Sequence, residues 1–398
     1  CFFSCIFFLF FDSLLQFFTG SNILGYKPLT SSRMTSFFNE EQIMGSYVSR
    51  MLPLVIGLSY IFIKNIRLIF LLILLSAIVI FLSGERTSLA FFMITLFGFF
   101  LIEQNIKNTI IATLIVFISF ACITFFNKSQ FDRIVTHTIN QSKSSKYGLY
   151  SYRHQLHYQT AYKMFLDRPL LGQGLGTFRH LCMNEKFSMN KEIIEKGKRY
   201  ASRSAYYFFE SNWDDKDKIH FIIIFSHTEN KKSSTNITES QLIRNEKDRF
   251  SLRLRPNNVL YFKSGDYLTK GQLLYSDFEY KNGCNTHPHN IYMQFLSELG
   301  IIGFGIFSII FLYVVLKIFS LIKLIIIKKN KNSYLKARFF ILLSVFISMF
   351  PLLPSGNYFG NWLLLISYLP FGFYLYMKQI NVFKSNDNIK YSKFFFIF

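Results

Sequence analysis

The chain has 398 residues, 51% of them hydrophobic and 19% aromatic, with 50 Phe. Apolar residues in that proportion, laid down in long uninterrupted runs, exclude an ordinary soluble domain and point to the membrane. The formal charge of +21 raises nucleic-acid binding, because clustered Lys and Arg neutralise phosphates; the basic residues sit between apolar runs and not on one soluble face, so no nucleic-acid partner is expected.

Cys1 opens the chain inside an apolar stretch, with no initiator Met and no charged leader. That start reads as a chain lacking its natural N-terminus, not as a signal peptide. A spanning helix needs about 20 mostly apolar residues. Eight stretches meet or approach this, at 1–18, 46–63, 67–83, 87–103, 108–126, 291–316, 338–354 and 360–377. The predicted organisation is five helices in 1–126, a large polar loop over 127–289, three more helices in 290–377 and a tail, 378–398.

Short loops rich in Lys and Arg face the cytoplasm. The segment 317–338 carries Lys317, Lys323, Lys328, Lys329, Lys331, Lys336 and Arg338. With that loop cytoplasmic, the C-terminal tail and the turns Lys64–Arg67 and Glu103–Lys107 fall on the same side. The outer face then holds 19–45, the turn Gly84–Thr87, the large loop and Pro354–Asn361.

Inside the large loop, Tyr158, Ala161, Tyr162 and Phe165 recur at helical spacing, and Pro169 ends that helix. Leu170–Gly176 follows as a glycine-rich turn, and Asn258–Leu274 mixes β-formers with Gly265 and Gly271 as a hairpin would. The stretch 211–256 is charged and irregular, so no structure is predicted there. Cys1, Cys5 and Cys122 lie in apolar runs as small hydrophobes. Cys182 and Cys284 lie in the polar loop, where an oxidising compartment permits a disulfide between them.

The sharpest local feature is Thr286-His287-Pro288-His289-Asn290, just before an apolar helix. Pro288 biases His287 towards an extended backbone. Asn290 is a good N-cap, which places His289 at the positive end of a helix dipole. That position disfavours imidazolium and keeps His289 neutral, as a general base requires; an interfacial histidine that merely borders a membrane helix fits the residues as well. His287 and His289, with His154 and His180, raise zinc, but no thiolate or carboxylate completes a tetrahedral set, so no metal is expected. Glu298 follows on the same helix, where a carboxylate is expected to pair with a neighbour. Gly300 and Gly303 read as positions of close helix packing. Asn39, Glu40 and Glu41 read as the capped, acidic start of the second helix.

His289-Asn290 followed by Gly300-Ile301-Ile302-Gly303 resembles the signature of the O-antigen ligase and O-antigen polymerase superfamily. Ser83-Gly84-Glu85-Arg86-Thr87-Ser88 and the run from Tyr152-Arg153-His154 through Asp167-Arg168-Pro169 to Gly172–Arg179 are similar to it in order and spacing, across about residues 30 to 375. Phe304, where many members carry Thr, and the long 181–286 insert depart from the pattern. The resemblance implies an all-α polytopic membrane protein with a C-type membrane glycosyltransferase-like bundle, one large structured periplasmic loop, and several N-terminal helices missing from this chain. It implies a metal-independent, cofactor-free inverting glycosyltransferase of the bacterial inner membrane. The donor would be an undecaprenyl-diphosphate-linked glycan, the acceptor lipid A–core for a ligase or another glycan chain for a polymerase.

Arginines suit that chemistry, since a guanidinium matches phosphate oxygens bidentately and stays charged. Arg86 is a cation on the outer face, against the usual bias; it serves as a diphosphate ligand, a snorkelling anchor or a partner for Glu85. Arg153 is a second diphosphate ligand or an ordinary solvated helix charge. His287, Arg179 and Asn290 are secondary candidates, and Arg168 a weaker one. A polysaccharide transporter would need broken helices or paired charges at mid-membrane and internal repeats, which the sequence lacks. A non-catalytic membrane partner would make His289 and the arginines dispensable.

Overall fold

The computed structural model describes residues 2–28, 32–39, 41–103, 105–126, 128–136, 138–139, 152–182, 184, 186–187, 283–327, 329 and 332–386, with the backbone of six strands at 205–210, 220–225, 243–246, 249–254, 258–264 and 267–271. The chain divides into two compact units, the first comprising 1–143, 308–353 and 360–398 and the second 144–307 and 354–359.

The first unit contains the helices α1 (Phe2–Thr19), α2 (Met44–Phe62), α3 (Ile66–Ser83), α4 (Arg86–Ile102) and α5 (Ile106–Phe126). The second starts with α6 (Tyr152–Asp167). Further helices are α7 (Ile291–Ile322), whose residues divide between the units at Phe307, and α8 (Ser333–Ser348) and α9 (Asn361–Asn386) of the first unit. Helices α1, α2, α3, α5 and α7 are long and apolar enough to cross a membrane, and α4 is a shorter apolar helix. The protein is a polytopic α-helical membrane protein.

In the first unit α2 packs most extensively on α8. Gly57 permits it: a Cβ there would meet the Ala337 carbonyl oxygen at 2.9 Å. The Ser344 hydroxyl donates to the Arg50 carbonyl at 2.5 Å, and Tyr60 stacks on Phe340 with centroids 5.7 Å apart. Polar side chains of α1 are buried because they order the following loop. Gln16 Oε1 accepts the amides of Thr35 and Ser36, both at 2.8 Å. Asp12 accepts from Asn22, the Ile23 amide and the Ser36 hydroxyl.

At one end of α4, Glu103 accepts from Lys336 Nζ and the Tyr60 hydroxyl, both at 2.9 Å, and from Asn108 at 3.0 Å. Burial alone would raise this carboxyl, but the Lys336 hydrogen bond and charge, with the Tyr60 and Asn108 bonds, outweigh it and leave Glu103 below the usual carboxylate range.

Two helix boundaries differ from the apolar pattern. α8 starts ahead of its apolar run because Asn332 Oδ1 accepts the Tyr334 amide at 2.9 Å, so Lys336 and Arg338 are helical. α9 runs past its apolar run to Asn386; residues 387–398 of the expected tail lie outside the described ones. A third difference concerns the start of α2. Its N-cap residue, Ile43, makes no side-chain cap. The cap comes from Glu85 instead, whose oxygens accept the Gly45 amide at 2.8 Å and the Ser46 amide at 3.1 Å. Glu40 lies outside the described residues.

The second unit holds α6, the glycine-rich turn and six strands: β1 (Ala205–Glu210), β2 (His220–Phe225), β3 (Ile243–Glu246), β4 (Arg249–Leu254), β5 (Asn258–Ser264) and β6 (Tyr267–Gly271). They form two antiparallel three-stranded sheets, β1-β4-β3 and β2-β5-β6. The β5–β6 pair is the hairpin its β-formers predict. β2, β3 and β4 fall in the stretch read as irregular; runs such as Phe221–Phe225 are strong β-formers whose signal is diluted by the surrounding charge.

Candidate functional site

The apolar centre of the second unit is Ala161, Met164, Phe178, Cys182, Phe187 and Cys284. Cys182 and Cys284 are disulfide-bonded, with Cα atoms 5.1 Å apart. The bond ties the start of the 181–286 insert to the residues just before Thr286.

α7 does not run straight out of His289-Asn290 as one rod. Gly300 has φ 65° and ψ −165°, which breaks the helix. The freed groups pair with the glycine-rich turn: Gln173 and Gly174 amides donate to the Ser297 and Glu298 carbonyls at 3.0 and 2.9 Å. The Ile301 amide donates to the Pro169 carbonyl at 2.8 Å. Gly172 (φ 71°) and Gly300 lie backbone to backbone, and a Cβ on either would overlap the other's chain. The two glycines are thus a loop–helix contact and not only a helix-packing face.

Glu298 is buried, and its carboxylate accepts the Gly176 amide at 3.0 Å, the Phe178 amide at 3.2 Å and Gln294 Nε2 at 3.3 Å. It therefore caps the turn Phe178–Leu181 from another part of the chain. Gln294 also donates to Asn357 and accepts the Tyr358 amide. Arg179 lies in this turn, half-buried, and Arg168 is exposed after α6.

Asn290 is the N-cap its sequence predicts: Oδ1 accepts the Tyr292 amide at 2.9 Å and the Met293 amide at 3.1 Å. His289, just before it, has φ 57°. A non-glycine residue in that region costs about 1–2 kcal/mol, and its neighbours hold it there. The Ser355 amide donates to the His289 carbonyl at 2.9 Å. Asn285 Oδ1 accepts the Thr286 amide at 2.7 Å, which turns Asn285 Nδ2 towards His289 Nε2 at 2.9 Å. An amide NH₂ only donates, so in this contact Nε2 is the acceptor, as the Nδ1–H tautomer of the ring allows. The His287 Nε2 donates to the Ser355 carbonyl at 3.2 Å, and its Nδ1 lies 2.9 Å from the Thr286 hydroxyl oxygen.

α6 adds His154, which the sequence joins to His287 and His289 only as a metal candidate, and His157, which it did not place here. His154 and His157, three residues apart on one helix face, bring their rings within 5.4 and 5.2 Å of the His289 ring, centroid to centroid; His287 lies 4.1 Å from it. The helical spacing of His154 and His157 was the available signal. No group of three or more His, Cys, Asp or Glu in metal-binding geometry occurs among the described residues. Arg153 is in the first turn of the same helix, and its side chain lies outside the described ones.

Arg86 belongs to the first unit, as the first residue of α4. Glu85 does not pair with it, because the Glu85 oxygens take Gly45, Ser46 and the Ser88 hydroxyl.

Residues 71–211 match the family model for O-antigen ligase. The matched stretch includes Arg86, Arg153, Arg179 and Cys182 and ends before His287 and His289. No curated protein matches the chain, and no solved structure does.

Proposed function

We propose that this chain, which matches the family model for O-antigen ligase over residues 71–211, moves glycan from an undecaprenyl-diphosphate carrier to an acceptor sugar at the periplasmic face of a bacterial inner membrane. The observation that carries the reading is the His289 imidazole, whose Nε2 lies 2.9 Å from the Asn285 amide nitrogen, the contact that a neutral ring makes. A sugar hydroxyl that replaces the Asn285 amide meets a base in the correct protonation state.

In the reaction, the acceptor hydroxyl gives its proton to His289 Nε2 as its oxygen bonds to the anomeric carbon. The bond from that carbon to the phosphate oxygen breaks, and its electron pair leaves on the diphosphate. Attack opposite the leaving group inverts the anomeric centre. Arg86 and Arg153 supply guanidinium groups to the departing diphosphate, where the charge develops. The Ser355 backbone and Asn285 fix the base, and His287 orients it or contacts the acceptor. No step is assigned to Arg179; Asn290 supplies the cap.

Ligation to lipid A–core is the preferred reaction and chain polymerisation the alternative, with acceptor choice assigned to the 181–286 insert. The test is transfer by the purified chain from a carrier-linked glycan. Arg86→Lys should lose about tenfold or more of the rate, because an ammonium is a point charge and not a bidentate fork. Full activity with Lys would contradict diphosphate recognition by Arg86.

A further inference from the structure

Three arginines of the first unit converge on the turn between α3 and α4. Gly84, at φ 60°, ends α3, and Arg86 begins α4. Arg133 Nε donates to the Gly84 carbonyl at 3.0 Å, and a Cβ on Gly84 would touch the Arg133 side chain at 3.1 Å. Gln130, one turn before it, donates to the Leu82 carbonyl at 3.1 Å. Arg33 comes from the loop after α1, where the Met34 amide donates to the same Leu82 carbonyl at 2.9 Å.

These cations have little to neutralise them. Among the described residues, no carboxylate oxygen lies within ion-pair distance of Arg33, Arg86 or Arg133. Glu85, whose charge reaches Arg33 and Arg133, spends its oxygens on the start of α2. Arg33 Nε is buried without a hydrogen-bond partner, while its Nη2 donates to the Gln42 carbonyl at 3.4 Å. The α4 N-terminus adds backbone amides that receive no side-chain cap from Glu85. Burial, then the charge of Arg133, lowers Arg33 to about 10 against the pull of Glu85, with Arg86 adding a smaller push. Arg133 is lowered by burial and by Arg86. Like charges held this close, partly desolvated, call for an anion.

We infer that Arg33 and Arg133, together with Arg86 at the α3–α4 turn, form a diphosphate-binding cluster, and that Arg33 and Arg133 are further ligands of the lipid carrier's diphosphate. A diphosphate fits three convergent guanidinium groups better than a single phosphate because the leaving diphosphate gains a negative charge as the glycosyl departs. The inference rests on the proposed transfer from a lipid diphosphate and adds two residues to it.

The test measures binding of undecaprenyl diphosphate to the full chain in nanodiscs, with undecaprenyl monophosphate and phosphatidylglycerol as comparison ligands. Arg33→Gln and Arg133→Gln should each weaken undecaprenyl diphosphate about tenfold or more and the monophosphate much less. Arg33→Lys and Arg133→Lys keep the charge and should recover part of the binding, which a purely structural role would not tie to the second phosphate. Wild-type diphosphate affinity in both Gln variants, with loss in Arg86→Gln, overturns the inference and leaves the proposed function standing. A wild-type chain that prefers neither undecaprenyl diphosphate to its monophosphate nor either to phosphatidylglycerol overturns both.

Discussion

At the scale of single residues, two carboxylates show how a charge is put to structural use by backbone amides. Glu85 caps α2 from forty residues further along the chain, and Glu298 holds the Gly176 and Phe178 amides across more than a hundred. Hydrogen bonds to a charged group contribute about 1.5–3 kcal/mol, and leaving buried amides without an acceptor costs about as much. Glu298→Ala should therefore open the segment 172–182 while leaving the first unit folded. Hydrogen exchange localised to peptides from that segment checks this, and unchanged protection would contradict the capping role. Neither set of amides was legible in the sequence, where Glu85 reads as a partner for Arg86 and Glu298 as an acid that pairs with a neighbouring helix. Both depend on which amides the fold leaves without an acceptor, and that is decided by chain segments far away in sequence. The Asn290 cap beside His289 was legible because its determinants are local, all within one turn.

Among the elements, existence was readable and continuity was not. Each of the eight apolar runs is a helix, since about 20 apolar residues leave the backbone no other way to pair in lipid. The break in α7 is invisible to hydropathy, because Gly300 sits among apolar neighbours and the reason for it is the glycine-rich turn at Gly172–Gly174. Polar anchors between elements were equally hidden. Glu103, at the C-terminal end of α4, is bound by Lys336 of α8, Tyr60 of α2 and Asn108 of α5. Its native pKa is depressed, so ionised Glu103 contributes its full stabilisation above the unfolded carboxylate value of 4.5, and that contribution is lost as pH falls through the lower native value. Glu103→Gln should lower thermal stability in detergent near neutral pH, by about 1.5–3 kcal/mol, and the gap to wild type should close on acidification below the carboxylate range. A gap independent of pH would mean that Glu103 acts through packing and not through its charge.

For the molecule as a whole, an α-helical membrane part and a polar loop unit divide the labour proposed here. The first unit presents Arg33, Arg86 and Arg133 at one helix turn; the second holds His289 at a positive φ among three other histidines. The charge bias that marks the loops made Arg86 conspicuous, and the topology expected from that bias would put Arg33 and Arg133 on the same face. Their convergence needed the fold, because a hundred residues separate them. The central claim is that His289 is the base for transfer of a completed glycan. It is tested most directly by replacing His289 with Ala in a strain lacking its own ligase and following polymer on lipid A–core and on the carrier. The account predicts that polymer no longer reaches lipid A–core while chains on the carrier keep their normal length. Unchanged transfer by His289→Ala would contradict it, and loss of chain growth on the carrier would reassign the reaction to polymerisation.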